Sequence, residues 1–106
     1  MRQWNKALNE FVNELKEKYG NKVEEIVVFG SYARGTARED SDIDVLIVGN
    51  IKLDEVIDIS FPILLKYGVY IAPIVMTRGY YEYLKSRNSS FIKNILREGV
   101  PLYGRV

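Results

Sequence analysis

Apolar residues Trp4, Leu8, Phe11, Val12, Leu15 and Tyr19 recur at steps of three and four along the opening of the chain. That spacing lays them on one helical face and predicts a helix over 4–19. Gly20 and Asn21 follow, the pair expected to supply a left-handed stop. The period then changes. "VEEIVVFG" (23–30) is dense in β-branched residues and reads as a buried strand closed by Gly30. Residues 31–41 are small and polar, with Gly35 and Thr36 as breakers, and have room for one short helical turn and a loop. "DIDVLIVG" (42–49) is a second strand, ended by Gly49 and Asn50.

The helical period returns in "KLDEVIDISFPILLKYG" (52–68), with Leu53, Val56, Ile57, Leu64 and Leu65 as its apolar members. Pro62 inside it predicts a kink or a division into two short helices, and Gly68 is a second stop. "VYIAPIVM" (69–76) reads as a third strand. Pro73 has no N–H to give a ladder, so this strand belongs at a sheet edge or carries a bulge. Thr77 is placed to cap a helix over about 79–87, and Ser89 or Ser90 one over 91–98. Gly99 ends the latter, and "VPLYG" is a short extended tail. Tyr80, Tyr83 and Leu84 share a helical face and are expected in the core with Trp4, whereas Tyr81 points elsewhere and is a candidate for a partner surface. The order helix, strand, strand, helix, strand, helix, helix predicts one α/β (α+β) domain over residues 1–106, a small mixed sheet covered by helices.

Composition narrows the chemistry. The 106 residues suit a single domain with its own core. Cysteine and histidine are both absent, which removes disulfides, thiolate catalysis, Ser-His-Asp triads and imidazole ligation. Any metal must be held by oxygen, which favours a hard cation such as Mg²⁺. Fifteen basic against fourteen acidic residues leave a net charge of +1, and this balance disfavours nucleic acid or an anionic membrane as a bulk partner. No apolar run approaches the roughly 18 residues of a membrane span, and the polar opening "MRQWNKALNE" has no signal core. The expected location is cytoplasmic.

Against this background "FGSYARGTAREDSDIDVLIV" (29–48) stands out. Side chains two apart on a strand share a face, so Asp42 and Asp44 converge at the start of the second strand while Ile43 and Val45 turn into the core. Two carboxylates this close repel unless a cation or a shared proton neutralises them. A divalent ion does so and can then bridge to phosphate oxygens. The plain alternative is a solvated loop cap, because Asp-x-Asp alone is common. Gly30 and Ser31 end the preceding strand. A glycine there lets an anion approach the backbone N–H groups, and the Ser31 hydroxyl can donate to a phosphate oxygen. Alone, a Gly-Ser is more simply a tight turn. Together, the phosphate cradle and the metal clamp on neighbouring strand ends describe a nucleoside-triphosphate site.

Gly30, Ser31, ten intervening residues and Asp42-Ile43-Asp44 resemble the signature of the polymerase-β-like nucleotidyltransferases. "GSYARGTAREDSDIDVLIV" is most similar to the minimal nucleotidyltransferase (MNT) branch, in which Ala-Arg-Gly follows the Gly-Ser and Ser precedes the first Asp. Arg34, Gly35 and Ser41 match, and the tail "FIKNILREGVPLYG" is similar to the ends of such proteins. The resemblance implies the polymerase-β-like nucleotidyltransferase fold. It also implies transfer of a nucleoside monophosphate, AMP from ATP, to an acceptor hydroxyl with release of pyrophosphate, Mg²⁺ being held by carboxylates. Gly30 and Ser31 would then bind the triphosphate, and Asp42 and Asp44 the metal. Arg34 either adds positive charge near the phosphates or is an exposed arginine of a helical turn. The resemblance further implies a toxin–antitoxin pairing, with an all-helical HEPN protein as toxin and this chain as the antitoxin that adenylylates it.

One part of the family pattern is missing. Active members carry a third carboxylate on a later strand, yet "VYIAPIVM" has none, and no acid lies between Asp58 and Glu82. Ala72 or Pro73 stands about where it is expected. Loss of a general base lowers a rate by roughly a hundred- to ten-thousand-fold. Asp54, Glu55 or Asp58 can substitute only if their helix faces the site. Two readings follow: a protein-modifying enzyme, or a catalytically weak antitoxin that acts by occluding its partner. Homo-oligomerisation stays open.

Overall fold

A computed structural model describes residues 2–38 and 41–104; Glu39 and Asp40, in the predicted loop, lie outside the described residues. The elements are α1 (Arg2–Tyr19), β1 (Val23–Phe29), α2 (Gly30–Arg34), β2 (Ile43–Gly49), α3 (Leu53–Tyr67), β3 (Ile71–Met76), α4 (Arg78–Ser86), α5 (Ser90–Glu98) and β4 (Val100–Tyr103). They form a four-stranded mixed sheet in the order β3-β2-β1-β4. β1 is antiparallel to β2 and to β4, and β2 is parallel to β3. This is the α/β architecture the sequence predicts. No helix among the described residues is long and apolar enough to cross a membrane.

The sheet separates two apolar layers, and β2 supplies both. Ile43, Val45 and Ile47 join α1 and α3 in the larger layer, with Trp4, Phe11 and Leu15. Leu46 and Val48 face the other way and meet Tyr81, Ile92 and Ile95 of α4 and α5. Strand alternation therefore places Asp44 on the α4/α5 side.

Several expectations need correction. Residues 100–103, expected as a short extended tail, pair as a strand against β1, with Val28 opposite Val100 and Val27 opposite Pro101. β3 is an edge strand, one of the two placements expected from Pro73. Gly20 does not adopt a left-handed conformation. A Cβ there would lie 2.5 Å from the Lys16 carbonyl oxygen, so close approach is the reason for this glycine. Pro62 does not divide α3, which runs unbroken from Leu53 to Tyr67.

α3 buries Val56, Ile59, Ser60 and Ile63 and leaves Leu53, Ile57, Phe61 and Leu65 exposed. With apolar residues all round the helix, the β2-to-β3 crossover decides which of them meet the sheet. The tyrosines of α4 are also reversed. Tyr81 is buried between the sheet and the side chains of Arg78 and Lys85, whose cations lie 5.6 and 4.8 Å from its ring centre. Tyr80 and Tyr83 are exposed and stack on each other at 6.3 Å. Thr77 and Ser89 do cap their helices, accepting from the Tyr80 and Ile92 amides.

Candidate active site

β1 and β2 pair with Phe29 opposite Asp44, which brings the turn after one strand against the carboxylate on the other. Gly30 makes the turn at φ 75°, in the left-handed region that side chains with a Cβ avoid. A Cβ on Gly30 would also overlap the Asp44 carboxylate. The backbone favours glycine here, and any larger residue would also displace the Asp44 carboxylate. Gly30, Ser31, Arg34 and Asp44 line one open cleft of ≈420 Å³, whose wall on the α5 side is made by Phe91, Asn94, Arg97 and Glu98. Asp42 is exposed just before β2 and is not among the lining residues, but its charge reaches Asp44.

The electrostatics follow from this arrangement. Burial, and then the charge of Asp42, push the Asp44 carboxyl above the usual aspartate range, while Arg34 pulls it partly back. Such a pair is short of positive charge. Its donors are hard oxygens, which suit a divalent cation completing its shell with water and phosphate oxygens. The residues present therefore fit Mg²⁺. Among the described residues no group of three acids is placed to hold a metal. In the sheet register Ala72 lies beside Asp44, so the position expected of a third acid is apolar. The α3 acids do not replace it. Asp54 and Asp58 are exposed on the helix covering the opposite face of the sheet, and Glu55 accepts from the Lys52 amide and from Lys22.

Arg34 is neither free nor remote. It lines the cleft and its guanidinium meets the Glu98 carboxylate at 3.0 Å. Its side chain is also 47% exposed. The α5 contribution was missed from sequence. Phe91, Asn94 and Glu98 follow the i, i+3, i+7 spacing of one helical face, a signal present in "FIKNILRE". Nothing in the sequence says that this face meets the Gly-Ser turn.

Residues 8–102 match the family model described as a nucleotidyltransferase domain. The chain belongs to this family. Among relatives of this nucleotidyltransferase, Putative protein adenylyltransferase MJ0604 of Methanocaldococcus jannaschii is 51% identical over 92% of this chain and 96% of its own length. Protein adenylyltransferase MntA of Thermococcus cleftensis is 39% identical over 82% of this chain and 80% of its own. In three dimensions the nucleotidyltransferase is similar to a chain of a toxin–antitoxin complex crystallised with AMP-PNP. The TM-score is 0.65 and the identity 21%, covering 92% of this chain and 73% of that one. At that identity the match shows the fold alone.

Proposed function

We propose that this nucleotidyltransferase transfers AMP from Mg-ATP to a hydroxyl of a partner protein, a HEPN-type toxin that it thereby neutralises. The observation that carries the reading is the Gly30–Asp44 contact, which joins a glycine-opened turn to a carboxylate whose proton affinity is raised by burial and by Asp42. Relatives named as protein adenylyltransferases cover most of the chain and support AMP transfer to protein. The shared fold of the toxin–antitoxin chain supports the kind of partner.

In the proposed reaction the acceptor oxygen bonds to the α-phosphorus, the bond from that phosphorus to the α–β bridging oxygen breaks, and pyrophosphate leaves. The hydroxyl proton passes to solvent or to a base of the partner. Asp42 and Asp44 would hold Mg²⁺, which supplies charge neutralisation at the phosphates and orients them. The turn at Gly30 and Ser31 offers backbone and hydroxyl donors to phosphate oxygens. Arg34, now paired with Glu98, adds a cation at the cleft.

The test is transfer of label from ATP to a candidate HEPN partner in the presence of Mg²⁺. Labelling should fall by at least about a hundred-fold in the Asp42→Asn, Asp44→Asn double variant. Equal labelling by the double variant refutes the reading. A second reading, an antitoxin that works by occlusion, is favoured by Ala72 standing beside Asp44. It expects the double variant to bind and inhibit the partner as well as the wild type does.

A further inference from the structure

The α5 wall of the cleft is aromatic at one end. Phe91, in the first turn of α5, is 44% exposed, whereas the apolar residues that anchor the helix, Ile92 and Ile95, are buried. Phe91 meets Phe29 in a T-shaped pair, with ring centres 6.3 Å apart and planes at 88°. Both rings line the cleft. Such a contact restrains the ring, and its 44% exposure leaves part of the ring open to a planar group. One turn further on, Asn94 lines the same cleft, its amide oxygen accepting from Arg97 at 2.9 Å.

The cleft thus combines two chemistries: a glycine-opened turn, an arginine and a carboxylate, and beside them an aromatic pair, since Phe29 precedes Gly30 and lies opposite Asp44. A nucleoside triphosphate joins the same two chemistries, a charged phosphate chain and a flat, weakly polar base. The volume of ≈420 Å³ falls within the range of small-molecule sites.

We infer that Phe91 is the base-stacking residue of this cleft, with Asn94 at the edge of the base, and that the preferred ligand is a purine nucleoside triphosphate. This rests on the nucleotide reading proposed above. Stacking rewards the larger π-surface of a purine over a pyrimidine, and it does not distinguish adenine from guanine. Phe91 is a specificity-determining residue and takes no part in bond making.

The experiment compares calorimetric titrations of the wild type, Phe91→Ala and Phe91→Trp with Mg-ATP, Mg-CTP and Mg-tripolyphosphate, the last having the charge but no base. Phe91 is exposed, so the variants should fold, and circular dichroism checks this. Loss of a base–aromatic stack should weaken ATP binding by roughly five- to a hundred-fold in Phe91→Ala. Tripolyphosphate binding should stay unchanged, and Phe91→Trp should keep ATP affinity. The wild type should bind ATP more tightly than CTP. Equal ATP affinity in the wild type and Phe91→Ala, or an equal loss for ATP and tripolyphosphate, overturns the inference and leaves the nucleotide reading standing. A wild type that binds neither ATP nor tripolyphosphate removes both.

Discussion

Asp44 sits where a folded protein gains least from a charge. It is half-buried, close to a second carboxylate, and pressed against a glycine turn. Its carboxyl is raised above the ordinary aspartate value by burial first and by Asp42 second. The folded state therefore binds this proton more tightly than the unfolded chain does. In the window just above the ordinary aspartate value the native state holds more protons, so stability falls as pH rises through it. At neutral pH the ionised Asp44 is a net liability in the absence of a cation. We predict that Asp44→Asn raises the melting temperature at pH 7 by a few degrees, measured in chelator, although it removes a proposed metal ligand. Mg²⁺ should then raise the melting temperature of the wild type and not of the variant. A less stable Asn variant in chelator would contradict this account.

At the scale of elements, α4 is fastened to the sheet by one arginine. The Arg78 guanidinium meets Glu24 at 2.9 Å, Glu25 at 2.6 Å and Glu82 at 3.1 Å, and these partners hold it above its ordinary pKa, with the hydrogen bond to Glu24 the largest cause. Of the three acids only Glu25 is buried. The two surface pairs contribute little, whereas Glu25 without its cation is a buried charge left unpaired. Arg78→Met should lower stability by about 1–3 kcal/mol, and adding Glu25→Gln should recover part of the loss. A denaturant double-mutant cycle measures the coupling; strictly additive losses would show that Glu25 does not depend on Arg78. α3 teaches a different lesson at this scale. Its outward apolar residues, Leu53, Ile57, Phe61 and Leu65, could not be told from its inward ones by periodicity, because the helix is apolar on both sides.

At the scale of the molecule, the last strand closes the sheet. β4 covers one edge of β1, leaving β3 and β4 as the two outer strands. Each carries a proline, Pro73 and Pro101, which interrupts the outward row of donors and discourages edge-to-edge pairing with another sheet. Removing residues 100–106 should expose the apolar β1 edge from Ile26 to Val28. The expected result is a lower melting temperature and concentration-dependent aggregation, seen by light scattering. An unchanged melting temperature and a monodisperse solution would show that β4 is dispensable. The same closure carries the end of α5 to the cleft, where Glu98 meets Arg34 across 64 positions of sequence.

The sequence by itself determined the periodic elements, the confinement of the proline-bearing third strand to a sheet edge or a bulge, and the two signatures whose spacing marks the candidate site. Each of these is local: a helical or strand period, a missing donor, a carboxylate pair two residues apart. Tertiary structure alone decided which faces were buried, as with Tyr81 rather than Tyr80 and Tyr83. It alone made a strand of residues 100–103, and it set Phe91, Asn94 and Glu98 against the Gly30 turn. Those outcomes depend on how helices cross the sheet and which edge is left to cover. A chain carries such long-range geometry only in the sum of its packing, and no short pattern within it records the result.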